Sequence, residues 1–287
     1  MRFQPISTKL RTSLEAIEIQ LCTLMETVPV IYVGNRGRAV NIIAPDYHWG
    51  DLSPGQQAKQ LKLNREFGSW MELLSIVLRS APDSLRKQID SAEKGLRRWI
   101  EFQSNWLLDS TSGPNIEKMR KDIQNFHKIL DVLDASGDGP VLTIPDTNFL
   151  LEHQDPIEYR QIAGPEFTFV LLPTVLAELD DLKINHRNPD IRELAKKAIR
   201  RVKGWRNQGP LNDGITVDGS ITVRALPQEP AMDQTLSWLD GLVRDDRIIA
   251  SVLEIQAANP SSAVVLVTGD INMQNKADAA AVTVAEF

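Results

Sequence analysis

One cysteine, Cys22, and four histidines are all that this chain of 287 residues offers to metals that prefer sulfur or imidazole. A lone thiol closes no internal disulfide. Its place among apolar residues at helical spacing reads as a small buried hydrophobe in a reducing compartment. His48, His127, His153 and His186 lack the cysteine partners and the spacing of a zinc pattern. No apolar run approaches the roughly 20 residues that span a bilayer. The opening Met1-Arg-Phe-Gln-Pro-Ile also lacks the charged-then-apolar plan of a secretory signal. A cytoplasmic protein that avoids the membrane is therefore expected. A Gly-Lys-Ser/Thr nucleotide loop is missing as well, so no dependence on ATP is expected.

What the chain does contain is ordinary for a globular protein, with 42% hydrophobic and 24% charged residues. The net charge of −6 argues against indiscriminate adhesion to nucleic acid, but it is unevenly spread. Residues 1–137 carry 18 Lys and Arg against 16 Asp and Glu, a balance of +2. Residues 138–287 carry 14 against 22, a balance of −8. The acidic excess belongs to the second half, where either a cation site or solvated surface carboxylates would account for it.

The two halves also differ in period. Leu10, Leu14, Ile17, Leu21 and Leu24 recur at steps of three and four, which predicts an amphipathic helix between Thr8 and Met25. Residues 28–37 read as a short extended piece ending in a turn, and 44–55 read as a loop. Helical runs are expected near 53–80, 82–108 and 113–134, with Pro54, Pro82 and Pro114 as start signals. The Gly, Pro and Asp residues of 134–140 mark a boundary between a mainly helical domain, 1–137, and a second domain, 138–287. Beyond it, strand candidates at 141–145, 167–172, 220–226, 263–268 and 282–286 alternate with helical patterns at 174–205 and 233–258. Such alternation implies an α/β fold with a mostly parallel sheet covered by helices on both faces.

Four acidic residues stand where strand-like runs stop or helices begin. They are Asp146 after Val141-Leu-Thr-Ile-Pro, Glu178 in Leu-Ala-Glu178-Leu-Asp-Asp-Leu-Lys183, Asp245 in Asp245-Asp246-Arg-Ile-Ile-Ala, and Asp270 after Val-Leu-Val-Thr268-Gly. In open α/β sheets ligands bind outside the carboxyl ends of the strands, so such residues can meet in one crevice. Carboxylates that meet repel each other unless a cation lies between them, and oxygen donors suit Mg²⁺ or Mn²⁺. Metal-dependent phosphoryl transfer is the chemistry such a set would serve, because a divalent ion can activate water and offset charge on phosphate oxygens.

Taken together and in this order, the four motifs resemble the PIN-domain nucleases over residues 139–287. The resemblance implies a three-layer α/β/α domain around a five-stranded parallel sheet and metal-dependent cleavage of single-stranded RNA. It also implies that Asp146, Glu178, Asp245 and Asp270 are the acidic quartet, both catalytic and metal-binding. Asn148 and Thr268 match small polar positions that support the quartet, and Asn272 closes the last motif as a further supporting residue. The doubled aspartate leaves Asp246 as an alternative to Asp245, although Asp245 aligns better with the following Ile-Ile-Ala.

Ten basic or histidine side chains from Lys183 to Arg206 make a cationic helix beside the second acidic motif. Arg200 and Arg201 are the candidate RNA-backbone contacts, and Trp205 is either a stacking surface or a packing residue. In the first half, Asn35-Arg36-Gly-Arg38 is a candidate phosphate contact or a plain turn, and Trp70, Trp99 and Trp106 read as core or interface aromatics. Three functions stay open: a metal-dependent endoribonuclease, a non-catalytic PIN-like module binding RNA or protein, and a Mg²⁺-dependent phosphohydrolase of small esters. Partners implied are single-stranded RNA, a second copy of the chain, and an inhibitor or antitoxin protein. The helical half would select substrate, regulate access or drive oligomerisation.

Overall fold

The computed structural model describes residues 3–33, 47–104, 108–134 and 139–287. The chain forms two compact units: Ser7–Ser75 with Ser80–Ala135, and Ser136–Phe287 with the short segments Met1–Ile6 and Ile76–Arg79. Among the described residues no helix is long and apolar enough to cross a membrane.

The first unit is built on α1 (Ile6–Thr27), α2 (Pro54–Val77), α3 (Asp83–Ile100) and α4 (Ser112–Asp134). Leu10, Leu14, Ile17, Leu21 and Leu24 all bury, because steps of three and four place them on one face of α1. At the start of α2, the Gln56 amide N–H donates to Ser53 Oγ (3.4 Å) while Gln56 Oε1 accepts from the Ser53 N–H (2.8 Å). That reciprocal pair satisfies donors the first helical turn would leave orphaned. The centre is aromatic: Phe126 meets Trp70 edge-on at 5.0 Å and Phe67 at 6.0 Å. Trp70 Nε1 donates to the Leu10 carbonyl at 2.9 Å, and Trp99 Nε1 donates to Asp122 Oδ2 at 2.7 Å. Each indole thus buries its ring without leaving its N–H unpaired.

Tyr47–Trp49, expected within a loop, instead forms strand β2 antiparallel to β1 (Val30–Tyr32). An extended segment needs partners for its backbone groups, and the Tyr32 and Tyr47 rings meet at 5.5 Å across the pair. The Asn35-Arg36-Gly-Arg38 turn and Trp106 lie outside the described residues.

The second unit holds a six-stranded sheet in the order β5-β6-β4-β3-β7-β8. Five strands are parallel and fall where the sequence places them: β3 (Val141–Pro145), β4 (Phe167–Leu171), β6 (Ile221–Ala225), β7 (Val264–Val267) and β8 (Thr283–Ala285). Every residue of β4 and β7 is buried, as continuous apolar strands covered on both faces should be. The sixth, β5 (Ile215–Val217), runs antiparallel on the β6 edge. Its turn holds Asp218 and Gly219 at positive φ, 46° and 75°, so an Asp-Gly hairpin signal was present in the sequence and the expectation of five strands passed over it.

The connecting helices are α5 (Thr147–Glu152), α6 (Arg160–Ala163), α7 (Pro173–Asn185), α8 (Pro189–Arg206), α9 (Arg244–Ala258) and α10 (Ile271–Ala279). The pattern at 174–205 is therefore two helices, not one. Pro189 starts α8, and Asn188 caps it by accepting from the Asp190 N–H at 2.9 Å. The pattern at 233–258 is a single 3-10 turn at Met232–Gln234 and becomes α-helical only from Arg244. Before it, Asp240 folds the chain into a turn, its carboxylate accepting from the Leu242 N–H and its carbonyl from the Val243 N–H.

In this sheet β3 lies between β4 and β7, so the connection after β3 goes to one side while β7 and β8 lie on the other. The carboxyl ends of β3 and β7 flank that reversal, which is where an open α/β sheet leaves a crevice. Phe126→Ala is expected to lower the unfolding free energy of the helical unit by about 3–5 kcal/mol. Urea titration followed by tryptophan fluorescence measures it, and a loss below about 1 kcal/mol would show that Phe126 is not central to that core.

Candidate functional site

Asp146 follows the last residue of β3 and caps α5: its Oδ1 accepts from the Phe149 N–H at 2.7 Å. Its Oδ2 accepts a short hydrogen bond from Thr268 Oγ1, which extends from the end of β7. The residue is only 4% exposed. Beneath it Phe149 packs edge-on against Phe287 at 5.0 Å and Tyr159 at 5.9 Å. Burial pushes the Asp146 carboxyl above the usual carboxylate range, and the negative charges of Asp270 and Glu178 push it the same way. The bonds from Thr268 and Phe149 oppose the rise without cancelling it.

Asp270 caps α10, its Oδ1 accepting from the N–H groups of Asn272 (2.7 Å) and Met273 (3.2 Å). Its own N–H donates to Thr268 Oγ1 at 3.0 Å. Thr268 is fully buried, so one hydroxyl donates to Asp146 and accepts from the backbone of Asp270, locking the two carboxylate-bearing turns together. Asp270 itself is exposed, as are Asn148 in the first turn of α5 and Asn272 in that of α10.

Glu178, on α7, reaches the same end of the sheet. Thr147 Oγ1 donates to its Oε2 at 2.7 Å, and Arg244 Nη1 donates to its Oε1 at 3.0 Å. Arg244 also lies 3.6 Å from Asp181 Oδ2. The bond and charge of Glu178 hold the Arg244 guanidinium above its ordinary pKa.

The doubled aspartate divides its work. Asp246 is 6% exposed, and its Oδ2 accepts from the Asp240 N–H at 2.9 Å while Lys276 Nζ donates to its Oδ1 at 2.7 Å. Asp245 is more open and stands 3.4 Å from the same ammonium. Partial burial works against the charge of Lys276, yet Asp246 and Asp245 hold its pKa above the ordinary lysine value.

The structure therefore joins Asp146, Thr268 and Asp270 by hydrogen bonds and brings Glu178 within electrostatic reach of Asp146. Asp245 and Asp246 connect through Lys276 to α10, the helix that Asp270 begins. Among the described residues no three His, Cys, Asp or Glu side chains stand close enough to hold a metal ion. The donor chemistry nonetheless fits one kind of ion. Mg²⁺ keeps several waters and takes one or two carboxylates directly, and a cation beside Asp146 would offset the neighbouring charges that add to the burial-driven rise of its pKa. A closed cage of protein ligands is not what these residues form.

Thr147, Arg244 and Lys276 are participants that sequence reasoning missed. Thr147 sits inside the first acidic motif and Arg244 directly precedes the third, but nothing local pairs Lys276 with an aspartate 30 residues away. On α8, Arg201 is engaged with Asp155 at 2.9 Å, whereas Arg200 is exposed. Trp205 is only 8% exposed and meets Phe169 at 6.3 Å, so its ring serves the core and is not a stacking surface.

A family model described as a PIN domain matches residues 143–287. No curated protein matches the chain. The helical N-terminal region has no family match.

Asp146 has a raised pKa in the folded state, so its ionised form costs stability once the pH rises through that value, and the cost is relieved as the pH falls toward the ordinary range near 4. In EDTA at neutral pH, Asp146→Asn should therefore melt at or above the temperature of the unmodified protein, with the difference shrinking on acidification. A drop of several degrees at neutral pH would contradict the assigned balance. Thr268→Val strips Asp146 of a donor and leaves the Asp270 N–H unpaired, at a cost of about 1–3 kcal/mol in urea unfolding.

Proposed function

The chain belongs to the PIN-domain family, and from that premise we propose that it is a metal-dependent endoribonuclease hydrolysing phosphodiester bonds of single-stranded RNA. PIN domains are generally nucleases, act on RNA and typically depend on divalent metals. The observation that carries the reading is the Asp146 carboxylate at the carboxyl end of β3, hydrogen-bonded to Thr268 at the end of β7, with its pKa raised by burial and then by the charges of Asp270 and Glu178.

In this reading Asp146 and Asp270 hold Mg²⁺ or Mn²⁺ directly, and Glu178 and Asp245 do so directly or through water. A bound divalent cation supplies positive charge against the phosphate oxygens and makes water acidic enough to attack near neutral pH. Thr268 orients the two direct ligands with one hydroxyl. Thr147 orients Glu178. Arg244 and Lys276 limit the repulsion among the remaining carboxylates and offer positive charge to an incoming phosphate. Asp246, committed to the Asp240 backbone and Lys276, acts as a brace. Arg200 is the better placed of the two arginines for an RNA phosphate, because Arg201 already has a carboxylate partner. The mainly helical domain, expected over 1–137 and here a compact unit of Ser7–Ser75 with Ser80–Ala135, would select substrate, control access or drive oligomerisation.

A non-catalytic PIN-like module is the second reading, favoured by one observation: Arg244 and Lys276 already neutralise Glu178 and Asp246 within the chain. Incubating purified protein with mixed RNA and Mn²⁺ separates the two. Chelator-sensitive fragments are expected, together with a loss of at least about 100-fold in cleavage on Asp146→Asn while the melting profile stays cooperative. Intact RNA in every lane, or full cleavage by the Asp146→Asn variant, would overturn the nuclease reading.

A further inference from the structure

The loop from Ala231 to Val243 faces two ways. Leu236 and Leu239 are buried, at 6% and 9% exposure, and anchor it; Trp238 and Leu242 are turned out, at 45% and 92%. The loop is stiff. Ala231 N–H donates to Glu254 Oε1, Leu239 N–H to the Leu236 carbonyl, and Leu242 N–H to Asp240 Oδ1. A side chain on Gly241 would press within 3.1 Å of Met232 Cγ, which shows how closely the loop folds on itself.

The Asp240 N–H is held by Asp246, and Asp246 is held by Lys276 of α10. Helix α10 opens with Asp270 only six residues earlier, about 9 Å along a helix axis. The backbone two residues after the exposed indole is thus linked through Asp246 and Lys276 to the helix that Asp270 caps. Ile271, next to Asp270, is a second large apolar side chain turned to solvent at the same centre, at 72% exposure.

Beyond the positive charge that Arg244, Lys276 and a bound cation would offer its phosphates, single-stranded RNA gains at clustered carboxylates from groups they do not repel. A base offers an uncharged face instead. Stacking on an aromatic ring is worth about 1–3 kcal/mol per base and tolerates any sequence. A half-seated indole on a braced loop presents such a ring at low ordering cost, and only an unpaired base can use it.

We infer that Trp238 is a nucleobase-stacking platform that holds an unpaired base of the substrate beside the acidic centre. The inference rests on the ribonuclease reading for its substrate class, and it assigns the preference for single strands to this loop.

The test uses the full chain carrying Asp146→Asn, so that RNA is bound without being cut, and a short unstructured fluorescent RNA in Mg²⁺ read by anisotropy. Adding Trp238→Ala should weaken binding about tenfold, whereas Trp238→Phe should restore most of it. An RNA scanned with single abasic sites should show one position that weakens binding to the Trp238 protein to the same degree and has no effect on the Ala variant. Both Trp238 variants should melt with their parent, since the ring is half exposed. Equal affinities for the Trp and Ala proteins, or identical abasic profiles, would overturn the platform and leave the loop as a face for a protein partner. No RNA binding by any variant would overturn it too. Trp238-dependent binding by a protein whose unmodified form cuts nothing supports the platform while removing the nuclease reading. Cleavage by the unmodified protein with a KM indifferent to Trp238 does the reverse.

Discussion

Carboxylates repel, and the second unit of this protein is arranged around that fact. Asp146 is buried among Phe149 and its aromatic neighbours at the end of β3, with Asp270 and Glu178 near enough to raise its pKa further. Such a group survives only because donors are aimed at it: the first turn of α5 gives a backbone N–H to one oxygen, and Thr268 gives a hydroxyl to the other. The Thr268 hydroxyl also accepts from the Asp270 backbone, so the strand ends that create the repulsion are the ones that hold it in place.

The other acids are handled by internal cations. Lys276 faces the buried Asp246, whereas its approach to Asp245 and that of Arg244 to Glu178 leave both partners partly open to solvent. Exposed ion pairs of this kind contribute little to stability. Their consequence is positional, since α7, α9 and α10 each carry one partner of a pair and are thereby set against one another at one end of the sheet. An arriving cation would compete with Arg244 and Lys276 for oxygens that are already gathered.

A common thread runs from the sheet order to the loop before α9. Because the connections reverse around β3, the ends of β3 and β7 flank the switch point of the sheet, and there Thr268 joins the segments that carry Asp146 and Asp270. Asp246 ties the Trp238 loop into this arrangement through the Asp240 backbone. Trp205 illustrates the opposite case. It lies on a helix crowded with basic residues, and only its contact with Phe169 reveals that the ring belongs to the core.

The five parallel strands and the helical first half were legible because hydrophobic period and turn residues are local properties of the chain, as the stripe from Leu10 to Leu24 and the run Val264–Val267 illustrate. The positions of Asp146, Asp245 and Asp270 at strand ends or helix starts were legible for the same reason, whereas Glu178 lies in the second turn of α7. Local pattern also misled: the period continued through His186–Asn188 and across 233–243, where Pro189 and the Asp240 turn break the helix. Sequence alone thus determined which carboxylates stand at the ends of strands and helices. Only the tertiary structure decided that Asp146 shares a hydroxyl with Asp270, that Asp246 braces a loop while Asp245 stays open, and that Arg244 and Lys276 are the counter-charges. Apart from the Asp240–Asp246 bond, six positions apart, those are contacts between residues 30 to 122 positions apart, set by how the strands are ordered in the sheet, and no local pattern encodes them.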